Sequence, residues 1–307
     1  LVWCSLVTST VSTVQVWIAS DWIPSIQFNK KKFQKHFNFG YKLTLSDFLN
    51  RIFNNIFLIV IGKYFSAAQL GFYTRAETMK QLPVVNITNA LNKVTYPLFV
   101  TIQDDDVRLK RVYKKLMLMV MFIVTPILIF LAVLAEPVFV FLFTDKWLPA
   151  VPYFQILCIT GILFPLHSYN LTILNVKGRS DLFLKLEVIK KIIIVLTIAV
   201  AIPFGIIALL YGQVIISIVA FFINARYTKR FISYTGWEQL KDVIPILILA
   251  VFAGSAIFFL DNFGLQDQTY IIRIVLGGLM GTAIYLLIDY LIKFSSLSEF
   301  TNLILKK

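Results

Sequence analysis

Two cysteines and two histidines are all that 307 residues contain. Cys4 and Cys158 both lie inside apolar stretches, so a disulfide framework is not expected and both are read as buried packing residues. Neither histidine has a second ligand at metal spacing, and His167, in an apolar run, is read as a packing residue. Charge is scarce too, at 15% against about 25% in a soluble domain. No Ser-His-Asp grouping and no glycine-rich phosphate loop occurs. What remains is an apolar chain, 58% hydrophobic, with mean hydropathy +0.80.

The apolar residues fall in blocks about 20 long, the length that crosses a hydrocarbon core of about 30 Å as a helix. The expected fold is all-α, a polytopic membrane helix bundle. Nine spanning segments can be drawn, at 2–20, 41–62, 80–101, 113–135, 150–174, 183–203, 205–226, 243–261 and 270–292. The sixth and seventh are separated by "IPFGI", where Pro203 and Gly205 force a tight hairpin. The net charge of +13 does not indicate nucleic acid, because the cations cluster between apolar blocks. Of 29 Lys and Arg residues, 22 fall on one side of the nine-segment parsing. That side is expected to be cytoplasmic and to hold the C-terminus. Trp17, Trp22, Trp147 and Trp237 fall near segment ends, as an aromatic belt predicts.

Arg51 and Lys93 fall mid-segment, where a charge costs about 2.5–3.5 kcal/mol on insertion scales. Asp47, Asn50, Arg51, Asn54 and Asn55 share roughly 140° of one helix, and Asn86, Asn89, Lys93 and Tyr96 share about 80° of the next. Such side chains can bond one another and hold a bundle together. Nine of them on two helices, two cationic, instead predict a water-filled, net positive cavity suited to a phosphate-bearing solute. Pro83, Pro97, Pro126 and Pro165 are expected to bend their helices. Asp104 to Asp106, in "QDDD", precede a basic helix start and are read as capping residues rather than catalytic ones. Gly277, Gly278 and Gly281 form a small-residue face for close helix packing. Glu187 and Asp289 lie near the cytoplasmic ends of their helices. The opening "LVWCSLVTSTVSTVQVWIAS" lacks Met and a basic lead-in, and the chain is expected to be a piece of a longer protein.

The stretch "TYPLFVTIQDDDVRLKRVYKKLMLMVMFIVTPILIFLAVLAEPVFVFLFTDKWLPAVPYFQIL" resembles the lipopolysaccharide, teichuronic acid and colanic acid branch of the polysaccharide transporter family. Upstream "LGFYTRA" and downstream "LNVKGRSDLFLKLE" fit the same branch. This family lies in one superfamily with multidrug and toxin extrusion transporters. The resemblance implies a fourteen-helix, two-lobe flippase. On that template residues 1–22 would end the N-lobe, and 23–40 would form a basic cytoplasmic inter-lobe linker. Residues 41–232 would make a six-helix C-lobe, and 233–307 an extra helix pair and tail. The implied activity moves undecaprenyl-pyrophosphate-linked oligosaccharide repeats across the bacterial inner membrane, without enzymatic chemistry or a metal. No cofactor is implied beyond coupling to a proton or sodium gradient, with Asp47 the ion-coupling candidate. Arg51 and Lys93 would hold the pyrophosphate, and Asn50, Asn54, Asn55, Asn86, Asn89 and Tyr96 the sugars. Implied partners are the lipid-linked oligosaccharide, membrane lipids, the polysaccharide polymerase and the chain-length machinery. Competing readings are a multidrug antiporter, a membrane glycosyltransferase or ligase using the same donor, and a non-transporting remnant.

Overall fold

A computed structural model describes residues 2–20, 30, 34 and 52–292. All regular structure among them is helical. The chain divides into two compact units, Leu1–Asn55 and Ile56–Lys307. In the first, α1 (Val2–Ala19) returns the hydroxyls of Thr8, Thr10 and Thr13 to carbonyls one turn back. These three hydroxyls are thus satisfied within the helix, as an apolar medium requires. Its described side chains are exposed from Trp3 onward, Cys4 among them. Burial of Cys4 was the wrong expectation: its side chain is exposed on α1. Cys158 is buried.

In the second unit, α2 (Ile56–Tyr64) and α3 (Ala67–Thr101) are followed by α4 (Asp106–Val133) and the short α5 (Ala135–Phe143). Then come α6 (Val151–Val176), α7 (Ser180–Ala201), α8 (Ile206–Ile232), α9 (Gly236–Gly264) and α10 (Tyr270–Ile292). Five of the described helical stretches are long and apolar enough to cross a membrane: 106–133, 145–176, 206–232, 236–264 and 270–291. The more polar α3 and α7 fall outside that group, so the expected count of nine spans is not fixed by these criteria.

Several boundaries differ from the sequence reading. The third segment was expected to start at residue 80 after an outward loop at 63–79. Instead α3 starts at Ala67, behind a capping box in which Ser66 Oγ accepts from Gln69 N–H and the Gln69 side chain accepts from Ser66 N–H. Such reciprocal satisfaction of end groups sets a firm helix start. The fourth segment was drawn to residue 135 as one span, but the helix stops at Val133 and a separate nine-residue helix, α5, follows. Pro83, Pro97, Pro126 and Pro165 lie inside continuous helices. Asp105 caps α4 by accepting from Arg108 N–H at 2.9 Å, the role assigned to the acidic run. Between α7 and α8 the chain turns through Ile202–Phe204 to Gly205, whose φ of 89° is a conformation glycine adopts without strain. Trp147 is half-buried beneath Phe72 and Phe143, with the Arg75 guanidinium 5.0 Å above its ring, so it packs as well as marking an end.

At the centre is α6, packed on α3, α4 and α8. Its fully buried Asn170 and Gln239 of α9 exchange amide hydrogen bonds at 2.9 and 3.0 Å. Tyr113 of α4 and Thr228 of α8 donate to the same Asn170 oxygen. Four helices are thereby pinned at one polar point where the surroundings supply no water. At the other end of the hairpin α9–α10, Arg273 makes a two-point ion pair with Asp261, both contacts 2.7 Å.

Candidate functional site

Helix α3 has two unlike faces. Val84, Thr88, Thr95 and Phe99 are buried, and Asn92 donates to Ser168 of α6 at 3.0 Å. Asn86, Asn89, Lys93 and Tyr96 are all exposed. The four residues singled out on this segment therefore share a face that no other described helix of the second unit covers. Nothing in the apolar fold accounts for a cation there, since lipid is a poor solvent for it. Of the companion stripe, Asp47, Asn50 and Arg51 lie outside the described residues. Asn54 and Asn55 belong to the first compact unit and are exposed.

A second polar constellation went unnoticed in the sequence. A cavity of about 230 Å³ lies among α2, α3, α6, α7 and α8, with Glu77, Lys80, Gln81, Thr160, His167 and Gln213 in its wall. Lys80 grips both oxygens of Glu77, at 2.7 and 2.8 Å, while Gln81 donates to Glu77 at 2.7 Å. Both charged side chains are largely buried, at 12% and 19% exposure, so each charge compensates the other where neither is well hydrated. Gly161 makes room for this pair: a Cβ there would stand 3.0 Å from Lys80 Cγ and 3.2 Å from Val84 Cγ2. His167 lies between the helices and lines both this cavity and an adjoining one with Lys190 and Asn175. Its Nε2 has no hydrogen-bond partner among the described residues. The available signal was the Ser66-x-x-Gln69 capping pattern, which puts Glu77 and Lys80 one turn apart on a helix instead of in a loop.

Other candidates resolve structurally. Glu187 pairs with Lys190. Asp289 is buried, and its carboxylate oxygens have no hydrogen-bond partner among the described residues. Among those residues no group of three or more metal-ligating side chains occurs.

Comparison with known proteins agrees with this architecture. Residues 1–152 match a family described as "Polysaccharide biosynthesis protein". The chain is 26% identical to Teichuronic acid biosynthesis protein TuaB of Bacillus subtilis (strain 168), over 86% of this chain and 55% of that protein. It is also 26% identical to Lipopolysaccharide biosynthesis protein WzxC of Escherichia coli (strain K12), over 75% of this chain and 49% of the relative. The chain thus spans about half the length of the curated relatives it matches. Its fold is similar to that of Lipid II flippase MurJ in an inward closed conformation, with TM-score 0.70 and 15% identity, covering 91% of this chain and 59% of MurJ. The chain is a multi-pass helical membrane protein similar to polysaccharide biosynthesis proteins, as its motifs implied.

Proposed function

We propose that this chain works as part of a two-lobe flippase, not as an enzyme. Its cargo on this reading is a lipid-linked oligosaccharide repeat carried on undecaprenyl pyrophosphate, moved by alternating access across the bacterial inner membrane. The observation that carries the reading is the exposed cationic face of α3. Lys93 with Asn86, Asn89 and Tyr96 offers a charge, amide donors and acceptors and an aromatic hydroxyl on a helix of an otherwise apolar bundle. Those groups suit a pyrophosphate and sugar hydroxyls. The kinship to polysaccharide biosynthesis proteins and the flippase-like fold support the same assignment. Arg51 would supply the second cation and Asp47 the site of gradient coupling. With the basic loops cytoplasmic, the C-terminus would be cytoplasmic as well. The polymerase and chain-length machinery would act on the delivered repeat.

The test is polysaccharide export in cells lacking their own flippase, supplied with the chain completed by an N-lobe. A charge-assisted hydrogen bond to phosphate contributes about 1.5–3 kcal/mol, so Lys93→Gln should reduce export at least about tenfold. Lys93→Arg should retain most of it, and Arg51→Gln should add to the loss. Full export from the Lys93→Gln, Arg51→Gln double variant would sink the assignment.

A further inference from the structure

The hairpin formed by α7 and α8 carries a feature that neither the bundle core nor the proposed cavity uses. At its Lys185–Arg230 end lies a groove of about 720 Å³, lined by Lys185, Arg226, Lys229 and Arg230 with Tyr227 beside them. No carboxylate lines it. The ion pairs of neighbouring basic residues go elsewhere, Arg179 to Asp181 and Lys190 to Glu187. None of the four groove cations has an ion-pair partner among the described residues. Four like charges gathered without a counter-ion repel one another, and a bound anion relieves that.

The groove does not end in solvent-like surface. One and two turns along α7 from Ile189, Ile192 and Leu196 continue the same helix face and are exposed. On α8, Ile215, Val219 and Phe222 precede Arg226 at helical spacing and are exposed as well. At the far end of the hairpin a second groove of about 560 Å³ is lined almost wholly by apolar side chains, Leu196, Val200, Phe204 and Ile215 among them. From Lys185 to Val200 is fifteen residues, about 22 Å along the axis, more than the roughly 15 Å of hydrocarbon in one leaflet. The face therefore reads as cationic head followed by apolar track, the mould of an anionic amphiphile. It lies on a peripheral helix, since α7 packs chiefly on α8, α6 and the turn between α7 and α8.

We propose that the α7–α8 face is a binding site for an anionic phospholipid of the surrounding membrane. The phosphate is held by Lys185, Arg226, Lys229 and Arg230, and the acyl chains lie along Ile192, Leu196, Val219 and Phe222. Basic pockets between membrane helices hold lipid headgroups in this way. The site needs only that the chain spans a bilayer and is independent of what the protein carries.

The test places the purified full chain in nanodiscs of phosphatidylglycerol mixed with phosphatidylcholine and measures lipid retained on gentle detergent extraction by native mass spectrometry. Phosphatidylglycerol should be retained preferentially. Each groove cation removed, as in Arg226→Gln and Arg230→Gln, should weaken that preference about fivefold, and the Lys replacements should restore it. All four groove cations are exposed, so these variants leave the core intact. A control removes the same charge outside the groove at the exposed Arg108 and Lys241. Equal loss of preference in the control would overturn the site in favour of general surface attraction. Displacement of the lipid by millimolar inorganic phosphate would overturn the lipid as occupant, and no displacement supports it.

Discussion

At the scale of single residues, the last helix shows how one methyl group separates packing from vacancy. Gly277, Gly278 and Gly281 read alike in the sequence, as one small-residue face. The structure divides them. A Cβ at Gly281 would fall 2.3 Å from Ile257 Cδ1, 2.8 Å from its Cγ1 and 3.3 Å from Phe130. Turning the Ile257 terminus away relieves the first clash but not the second. A Cβ at Gly277 would meet Leu134 and Ile257 at 3.1 to 3.2 Å, and one at Gly278 would meet nothing within 4 Å. Gly281→Ala is therefore expected to destabilise the protein by roughly 1–3 kcal/mol through overpacking. Gly278→Ala should be neutral or gain up to about 1 kcal/mol from helix propensity. Thermal unfolding in detergent compares the two, and equal behaviour would contradict the α9–α10 contact described above. Spacing made the glycine face legible. Which of its members touch a neighbour depends on Ile257, twenty residues and more away, and no local pattern carries that.

At the scale of elements, helix ends decide more than helix middles. The membrane segments could be read from their apolar length, but α3 was cut thirteen residues short because Arg75, Glu77 and Lys80 look like a loop to any hydropathy reading. The capping box at Ser66 and Gln69 says otherwise, and weighing it would have brought the Glu77–Lys80 pair into view. A second box opens α9: Thr235 N–H donates to Glu238 at 2.7 Å, and Glu238 N–H donates to Thr235 Oγ1 at 3.1 Å. The backbone hydrogen bond from Thr235, above the nearby Lys110, holds the Glu238 carboxyl below its ordinary range. A carboxylate stabilised in the fold contributes fully above its unfolded pKa and loses that contribution as pH falls through the lowered value. Glu238→Gln should therefore be less stable than the parent at neutral pH, and the gap should close on acidification. A gap independent of pH between the ordinary carboxylate range and strong acid would mean that shape, not charge, matters at this cap.

At the scale of the whole molecule, the second unit is an apolar bundle organised by a few polar points rather than by shape alone. The bundle class was legible from block length, and the shared exposed face of Asn86, Asn89, Lys93 and Tyr96 from its helical arc. The knot at Asn170 was not, because Gln239 lies 69 residues downstream and a lone Asn in an apolar run gives no sign of its partner. The groove cations were visible but served as markers of sidedness, so their convergence on one hairpin face needed coordinates.

The unbroken course of α3 gives these pieces a mechanical relation. Its 35 residues measure about 52 Å, well over the roughly 30 Å of hydrocarbon, and near its middle it rests on the bare backbone of Gly161. If α3 rocks as a unit during the proposed transport cycle, that contact is where it would pivot. Glu77 lies on one side of the pivot and Lys93 on the other, while Lys80 itself touches Gly161, so rocking would move Glu77 and Lys93 in opposite senses. A tilt of about 10° about Val84 shifts Thr74 by about 2.6 Å and Val100 by about 4 Å. Spin labels at these two exposed positions, followed between the inward- and outward-facing states that the proposed alternating access requires, should report displacements of opposite sign; equal signs would mean that α3 translates as a rod. On such a lever, remaking the Glu77–Lys80 pair near one end of α3 would withdraw or offer Lys93 nearer the other.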